Sequence, residues 1–300
     1  EGEILSLLGV LAPRENYYEL LLDTYASRVS GYYDREKKSL IIASDSSETL
    51  RSAIERHELV HALQDQHFNL DELLDEGLTS DVKLARQALM EGDANLVSFL
   101  LSSQNPCSRF TPETLPLLLE LRKGSISLQD SVALRLLMDF PYLYGVSFAC
   151  AITAGKDLNA LNSYLNASSL TTRQIVEARS GTVELASSPE CELPRVIVTD
   201  NSLVDAFGYF FVVSMLAEEF PVSTAFRLTD GLVCDQLRFS RVNKPELRWQ
   251  LHWRSAEAAE MFAEAYREWW GSRINSRHLS AAHALSVVVD GDVTIISSAN

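Results

Sequence analysis

The chain is short of basic residues: 26 Lys and Arg stand against 41 Asp and Glu in 300 residues, giving a formal net charge of -15 and a pI near 4.8. Such a chain repels phosphate backbones and anionic headgroups, and no stretch concentrates Lys and Arg enough to reverse that, so nucleic acid is excluded as an expected partner. Long apolar runs are also lacking. The longest candidates are interrupted by charge or Gly before reaching the roughly 20 residues that span a bilayer, which predicts that the chain given is not an integral membrane protein. Cysteine is scarce as well. Cys107, Cys150, Cys191 and Cys234 are widely spaced and never form a CxxC pair, which argues against a cysteine zinc site. Two disulfides and four buried thiols both remain open. There is no internal repeat and no low-complexity tract.

What is present is a globular chain, 46% hydrophobic, long enough for one large domain or two lobes. The first residue is Glu1 rather than Met, as expected if an N-terminal signal segment has been removed, and an extracytoplasmic (secreted or periplasmic) location is the expectation. Apolar spacing from Ile4 to Ala26 predicts a short helix, a break at Pro13 and a second helix from near Glu15. Gly31 to Ala43 reads as a strand, polar turn and strand. Asp45, three residues before Glu48, has the pattern of a capping box, and a long helix to about His67 follows. Further helices are expected over 81–102, 115–122, 131–138, 142–154, 203–220 and 256–270, the last capped by Ser255. A hairpin turning at Asp290-Gly291 is expected over 286–298. The softest stretch, Ser187 to Pro194, reads as a loop or lobe boundary. The fold class is therefore α+β and mainly helical, with a short β-sheet, and divides at about residue 125: a lobe over 1–125 and a mainly helical lobe over 126–300 that completes a cleft, or one domain.

The chemistry is concentrated in His57-Glu58-Leu59-Val60-His61. Two imidazoles at i and i+4 project from one face of a helix and converge on a single ion. Zinc suits them: it takes neutral nitrogen and carboxylate ligands and in catalytic sites leaves one position for water. Water so bound has its pKa lowered toward about 7, and Glu58, one residue after the first ligand, is placed to take its proton. A catalytic zinc needs a third protein ligand, and the next helix offers Glu91 in Met90-Glu91-Gly92-Asp93-Ala94. Gly92 inside a helix costs about 1 kcal/mol relative to Ala, and its lack of a side chain is expected to let this helix approach the HExxH helix closely. Against this stands the plain reading of surface histidines and solvated acids.

Other candidates carry less. His67, six residues after His61, lies well off the ligand face. Asp65, at i+4 from His61, is a candidate acceptor orienting that imidazole, and Asn95, at i+4 from Glu91, a similar support. His252, His278 and His283 lack metal spacing, although His252 joins Tyr142, Tyr144 and Tyr209 as a candidate donor to the oxyanion of a tetrahedral intermediate.

HExxH with a downstream Glu91 resembles the gluzincin group of zinc metallopeptidases. A longer match, His57-Glu-Leu-Val-His-Ala-Leu-Gln-Asp-Gln-His-Phe68 with Glu91-Gly-Asp-Ala94, is similar to a poorly characterised family of bacterial metallopeptidases. Gly31-Tyr-Tyr-Asp34 resembles that family's strand before the active-site helix, Phe140-Pro-Tyr-Leu-Tyr-Gly145 its downstream Pro-Tyr segment, and Leu170-Thr-Thr-Arg-Gln-Ile175 a further stretch. The resemblance implies a zincin-like fold, a bacterial source and the ligand set His57, His61 and Glu91. The chain departs from it at Ile175-Val176-Glu177-Ala178, where a His-Pro pair is expected.

The leading expectation is thus a zinc-dependent metallopeptidase, with one zinc ion and a peptide or protein substrate. Two rivals remain: a non-catalytic zinc-bearing scaffold or binding protein of the cell envelope, and a latent precursor in which a segment such as Ser187 to Pro194, or a cysteine, blocks the metal.

Overall fold

The computed structural model describes residues 2–12, 16–26, 30–44, 47–75, 77–102, 104–124, 131–165, 170–178, 195–242, 244–276 and 285–298. The chain opens with helices α1 (Gly2–Leu7) and α2 (Tyr17–Ala26), followed by the hairpin β1 (Gly31–Asp34) and β2 (Ser39–Ile42). Helices α3 (Glu48–Phe68), α4 (Leu70–Leu73), α5 (Ser80–Leu101), α6 (Leu115–Gly124), α7 (Val132–Thr153), α8 (Asn162–Leu165) and α9 (Thr172–Glu177) come next. The rest mixes β3 (Ile197–Thr199), β4 (Ser202–Asp205), α10 (Gly208–Leu216), α11 (Val222–Thr229), β5 (Leu232–Ser240), β6 (Glu246–Trp253), α12 (Ala256–Ser276), β7 (Leu285–Asp290) and β8 (Val293–Ser298). The fold is α+β, with a two-stranded hairpin and a six-stranded antiparallel sheet in the order β3-β4-β5-β6-β8-β7.

Both expected hairpins form, with Gly31 opposite Ile42 in one and Asp290 opposite Val293 in the other. Helix α3 is capped by Ser47, whose side chain accepts from the Leu50 amide, rather than by Asp45, which lies outside the described residues with Pro13, Ser187 to Pro194, Cys191, His278 and His283. Two expectations need correction. The helices expected over 131–138 and 142–154 are one helix, α7, which runs through Pro141. Proline removes one helical hydrogen bond at a cost of about 3 kcal/mol, and burial of most of α7 offsets it. The helix expected over 203–220 starts as strand β4 and becomes helical only at Gly208, whose φ of +83 makes the turn between them. Strands β5 and β6 of the six-stranded sheet come in addition to the expected elements, and β6 buries its alternate residues Leu247, Trp249, Leu251 and Trp253.

One connected apolar core runs from Ile4 to Ile296 and draws on helices and sheet alike. At its centre α5 and α7 cross. A Cβ built on Gly92 would lie 2.1 Å from the carbonyl oxygen of Gly145, and one on Gly145 would lie 2.0 Å from that of Ala88, so only glycine permits this backbone contact. The Gly92 expectation is therefore corrected: the close approach is to α7, not to the HExxH helix. By length and composition α7 passes for a membrane span, but 72% of its apolar stretch is buried within the protein, the situation of a core helix. A disulfide, Cys107–Cys150, ties the segment after α5 to α7, and Cys234 is also disulfide-bonded.

Buried carboxylates join the start of α5 to α9 and fix the start of α10. Asp81 accepts from the amide and hydroxyl of Thr172, while Asp235 accepts from the amides of Phe207 and Gly208 and from the indole of Trp249. Burial raises Asp81 from 3.8 to about 7 and Asp235 to about 6. An acid whose folded pKa lies above its unfolded value contributes stability that is complete below the unfolded value and is lost as pH rises through the folded one. The metal-free chain is expected to lose on the order of a few kcal/mol of stability between about pH 4 and pH 7 from these groups. Asp81→Asn should flatten that slope in thermal unfolding at stepped pH; an unaltered slope would contradict the assignment.

Candidate metal centre

The helical repeat of α3 puts His57 and His61 on the side that packs against α5, where Glu91 meets them. His57 Nε2 lies 3.0 Å from Glu91 Oε2, His61 Nε2 lies 3.4 Å from the same oxygen, and the two Nε2 atoms are 3.1 Å apart. The imidazole planes are nearly perpendicular, at 84°. Among the described residues this is the one group of three or more His, Cys, Asp and Glu side chains gathered closely enough to hold a metal ion.

The donor spacing tests the fit. Bonds of about 2.0–2.1 Å at tetrahedral angles require donors about 3.3 Å apart, the length of a tetrahedron edge. The three observed separations bracket that value. Without a cation the donors meet imperfectly: a neutral His57 protonated at Nε2 can serve Glu91 and His61, but with His61 Nε2 as acceptor its 3.4 Å approach to Glu91 Oε2 sets two acceptors against each other. Burial disfavours charging His61, but the hydrogen bond and charge of Glu91 outweigh it and raise the imidazole to about 9. Burial likewise opposes ionisation of Glu91, and hydrogen bonds from His57 and His61 overcome it and lower the carboxyl to about 2. The two shifts are one interaction seen from its two partners, the attraction of the Glu91 carboxylate for the histidines. The side chains of His57 and Glu91 stay 17% and 21% exposed, so the cluster opens to solvent.

Glu58 is buried beside the histidines at 7% exposure, and burial is the leading cause of its raised pKa. The hairpin reaches this carboxylate, because the Tyr33 backbone N–H faces it. The hairpin sits close because a Cβ on Gly31 would lie 2.4 Å from Ile54 of α3. Its turn is then clasped to α3 by Asp65, which accepts from the Tyr33 hydroxyl at 2.9 Å and from Lys38 Nζ at 2.6 Å. These partners, with the burial that opposes them, leave Asp65 with a lowered pKa.

Asp65 therefore does not orient His61; Gln64 does. His61 Nδ1 lies 2.8 Å from Gln64 Oε1, and the Gln64 amide nitrogen donates to the Met90 carbonyl at 3.1 Å and to Asp93 Oδ2 at 2.8 Å. Sequence reasoning missed Gln64 and Asp93, although the i, i+3 spacing from His61 was a usable signal. Asn95 is half-buried and makes no hydrogen bond to Glu91. His67 is exposed near the end of α3, and His252 sits on β6 opposite Cys234, within the large sheet. Tyr144 and Tyr209 line a cavity with Phe226, Arg254 and Met261 whose walls include none of the cluster residues. Tyr142 is exposed on α7, three residues before Gly145.

Comparison of the chain with protein-family models, with curated proteins and with solved structures returns no match.

Proposed function

We propose that this chain is a zinc-dependent metallopeptidase of gluzincin type, built on a zincin-like fold, in which His57, His61 and Glu91 hold one zinc ion and Glu58 acts as the base. The observation that carries the reading is the convergence of three donors at tetrahedral spacing, open to solvent, with a fourth, buried carboxylate alongside. Structural zinc sites are usually closed by four protein ligands, whereas catalytic ones keep a position free, and three donors with an exposed edge fit the second pattern.

His57, His61 and Glu91 would hold the zinc, which would supply Lewis acidity toward a carbonyl and toward water. The chain's own residues do the rest. Glu58, held in place by α3 and by the Tyr33 amide, takes the proton from water as it attacks the peptide carbonyl and returns it to the leaving amine. Its burial favours a basicity suited to that exchange. Tyr142, exposed on α7, is a candidate donor to the developing oxyanion. The disulfides support an oxidising, extracytoplasmic compartment. The substrate is a peptide or protein; the lobe division near residue 125 belongs to this same reading.

Removal of metal is the test. Cleavage of a mixed peptide library is expected to stop on exhaustive chelation and to return on adding one equivalent of zinc. Zinc uptake with no cleavage at any stage would be the signature of the non-catalytic scaffold and would overturn the peptidase reading.

A further inference from the structure

The two histidines of the cluster are not held alike. Among the described residues His57 makes its hydrogen-bond contacts through Nε2, toward Glu91 and His61. His61, by contrast, is anchored at both ring nitrogens: Nε2 faces the cluster and Nδ1 meets Gln64 Oε1. The identity of that amide atom follows from its other end. The Met90 carbonyl and the Asp93 carboxylate, 3.1 and 2.8 Å away, only accept hydrogen bonds, so the nitrogen of Gln64 must face them and the oxygen must face His61. An amide oxygen also only accepts. The proton of a neutral His61 is thereby placed on Nδ1, and its Nε2 lone pair is directed at Glu91 and His57.

Gln64 is 3% exposed and Met90 7%, so the link is made inside the protein. It also joins two helices. One end fixes a ligand on α3, and the other grips the turn of α5 that carries Glu91, through the Met90 carbonyl on one side of Glu91 and the Asp93 side chain on the other. We infer that Gln64 and Asp93 form a positioning pair: Gln64 sets the tautomer and direction of His61, and Asp93 sets the orientation of Gln64, together holding the α3 and α5 ligands in register before metal arrives. The inference rests on reading His57, His61 and Glu91 as a metal centre. Neither Gln64 nor Asp93 is a ligand or a catalytic residue in it. Partners of this kind around a metal-binding histidine are commonly worth 10–100-fold in metal affinity.

The polarity of the pair makes a sharp test, because it can be reversed without changing the net charge. Zinc affinity is measured on the full chain by competition with a chromophoric chelator, for the wild type and for Gln64→Ala, Gln64→Glu and the double variant Gln64→Glu/Asp93→Asn. Gln64→Ala should bind zinc about 10–100-fold more weakly. Gln64→Glu sets two carboxylates against each other and should lose at least as much. The double variant restores an acceptor toward His61 and a donor from position 93, leaves the Met90 carbonyl without its donor, and should recover part of the loss. A second readout does not depend on activity: the zinc-loaded wild type should show a slowly exchanging His61 Nδ1–H proton resonance, absent in Gln64→Ala and present again in the double variant. Wild-type zinc binding with unchanged affinity in Gln64→Ala, or a double variant no better than Gln64→Glu, would overturn the inference and leave the metal centre standing. A wild type that binds no zinc would overturn the centre, and the inference with it.

Discussion

Glu58→Gln is expected to lower peptide turnover by about 10²–10⁴-fold while leaving zinc binding intact, the range that a positioned general base contributes. The substitution is nearly isosteric, and the glutamine oxygen still accepts from the Tyr33 amide that faces the carboxylate, so the packing of α3 against the hairpin should persist. What is lost is the capacity to take a proton. The effect should therefore fall on kcat with KM little changed, because Glu58 is placed to act on the water rather than to hold substrate. Activity within a few fold of wild type would mean that the base is another group.

Gly92→Ala is expected to have the largest effect on the fold. The new methyl would lie 2.1 Å from the Gly145 oxygen and 2.3 Å from its carbonyl carbon. Both are backbone atoms of a buried helix, with no flexible side chain to swing aside, so α5 and α7 must separate. Overpacking of this kind costs about 1–3 kcal/mol, which for a chain of this size corresponds to a fall in Tm of about 2–12 °C. Glu91 is the preceding residue, so the displacement reaches the metal cluster and zinc affinity should drop with stability. Gly271→Ala provides the control: it also lies inside a helix, but its Cβ would meet nothing within 4 Å, and the change should be neutral or mildly stabilising. Equal melting temperatures for Gly92→Ala and wild type would show that the crossing has room that the geometry denies.

The parts of the site that rest on helical periodicity were legible in the sequence. His57 and His61 at i and i+4 had to share a face, and a carboxylate on the next long helix was the natural third donor; α3, α5 and their contact bring the three together. Gly92 was read as a close-approach residue but given the wrong neighbour, because one residue is 100° of helix: the face beside Glu91 looks toward α7. Asp65 was assigned to His61 on local spacing alone. Its true partners, Tyr33 and Lys38, come from a hairpin about 30 residues away, a contact that only tertiary structure creates. Gln64 took the position instead, pulled by acceptors on α5. The large sheet left a period-2 trace in Leu247, Trp249, Leu251 and Trp253, a stretch to which the sequence reading assigned no element. Pro141 suggested a break that burial of α7 overrode.

The most direct test of the account is the metal content of the purified wild-type chain, determined by elemental analysis alongside a variant carrying His57→Ala and His61→Ala. One zinc ion per wild-type chain, and none in the variant, is the result expected from donors that lie 3.0 to 3.4 Å apart. A wild-type chain without zinc, even after zinc is supplied, would contradict the assignment of His57, His61 and Glu91.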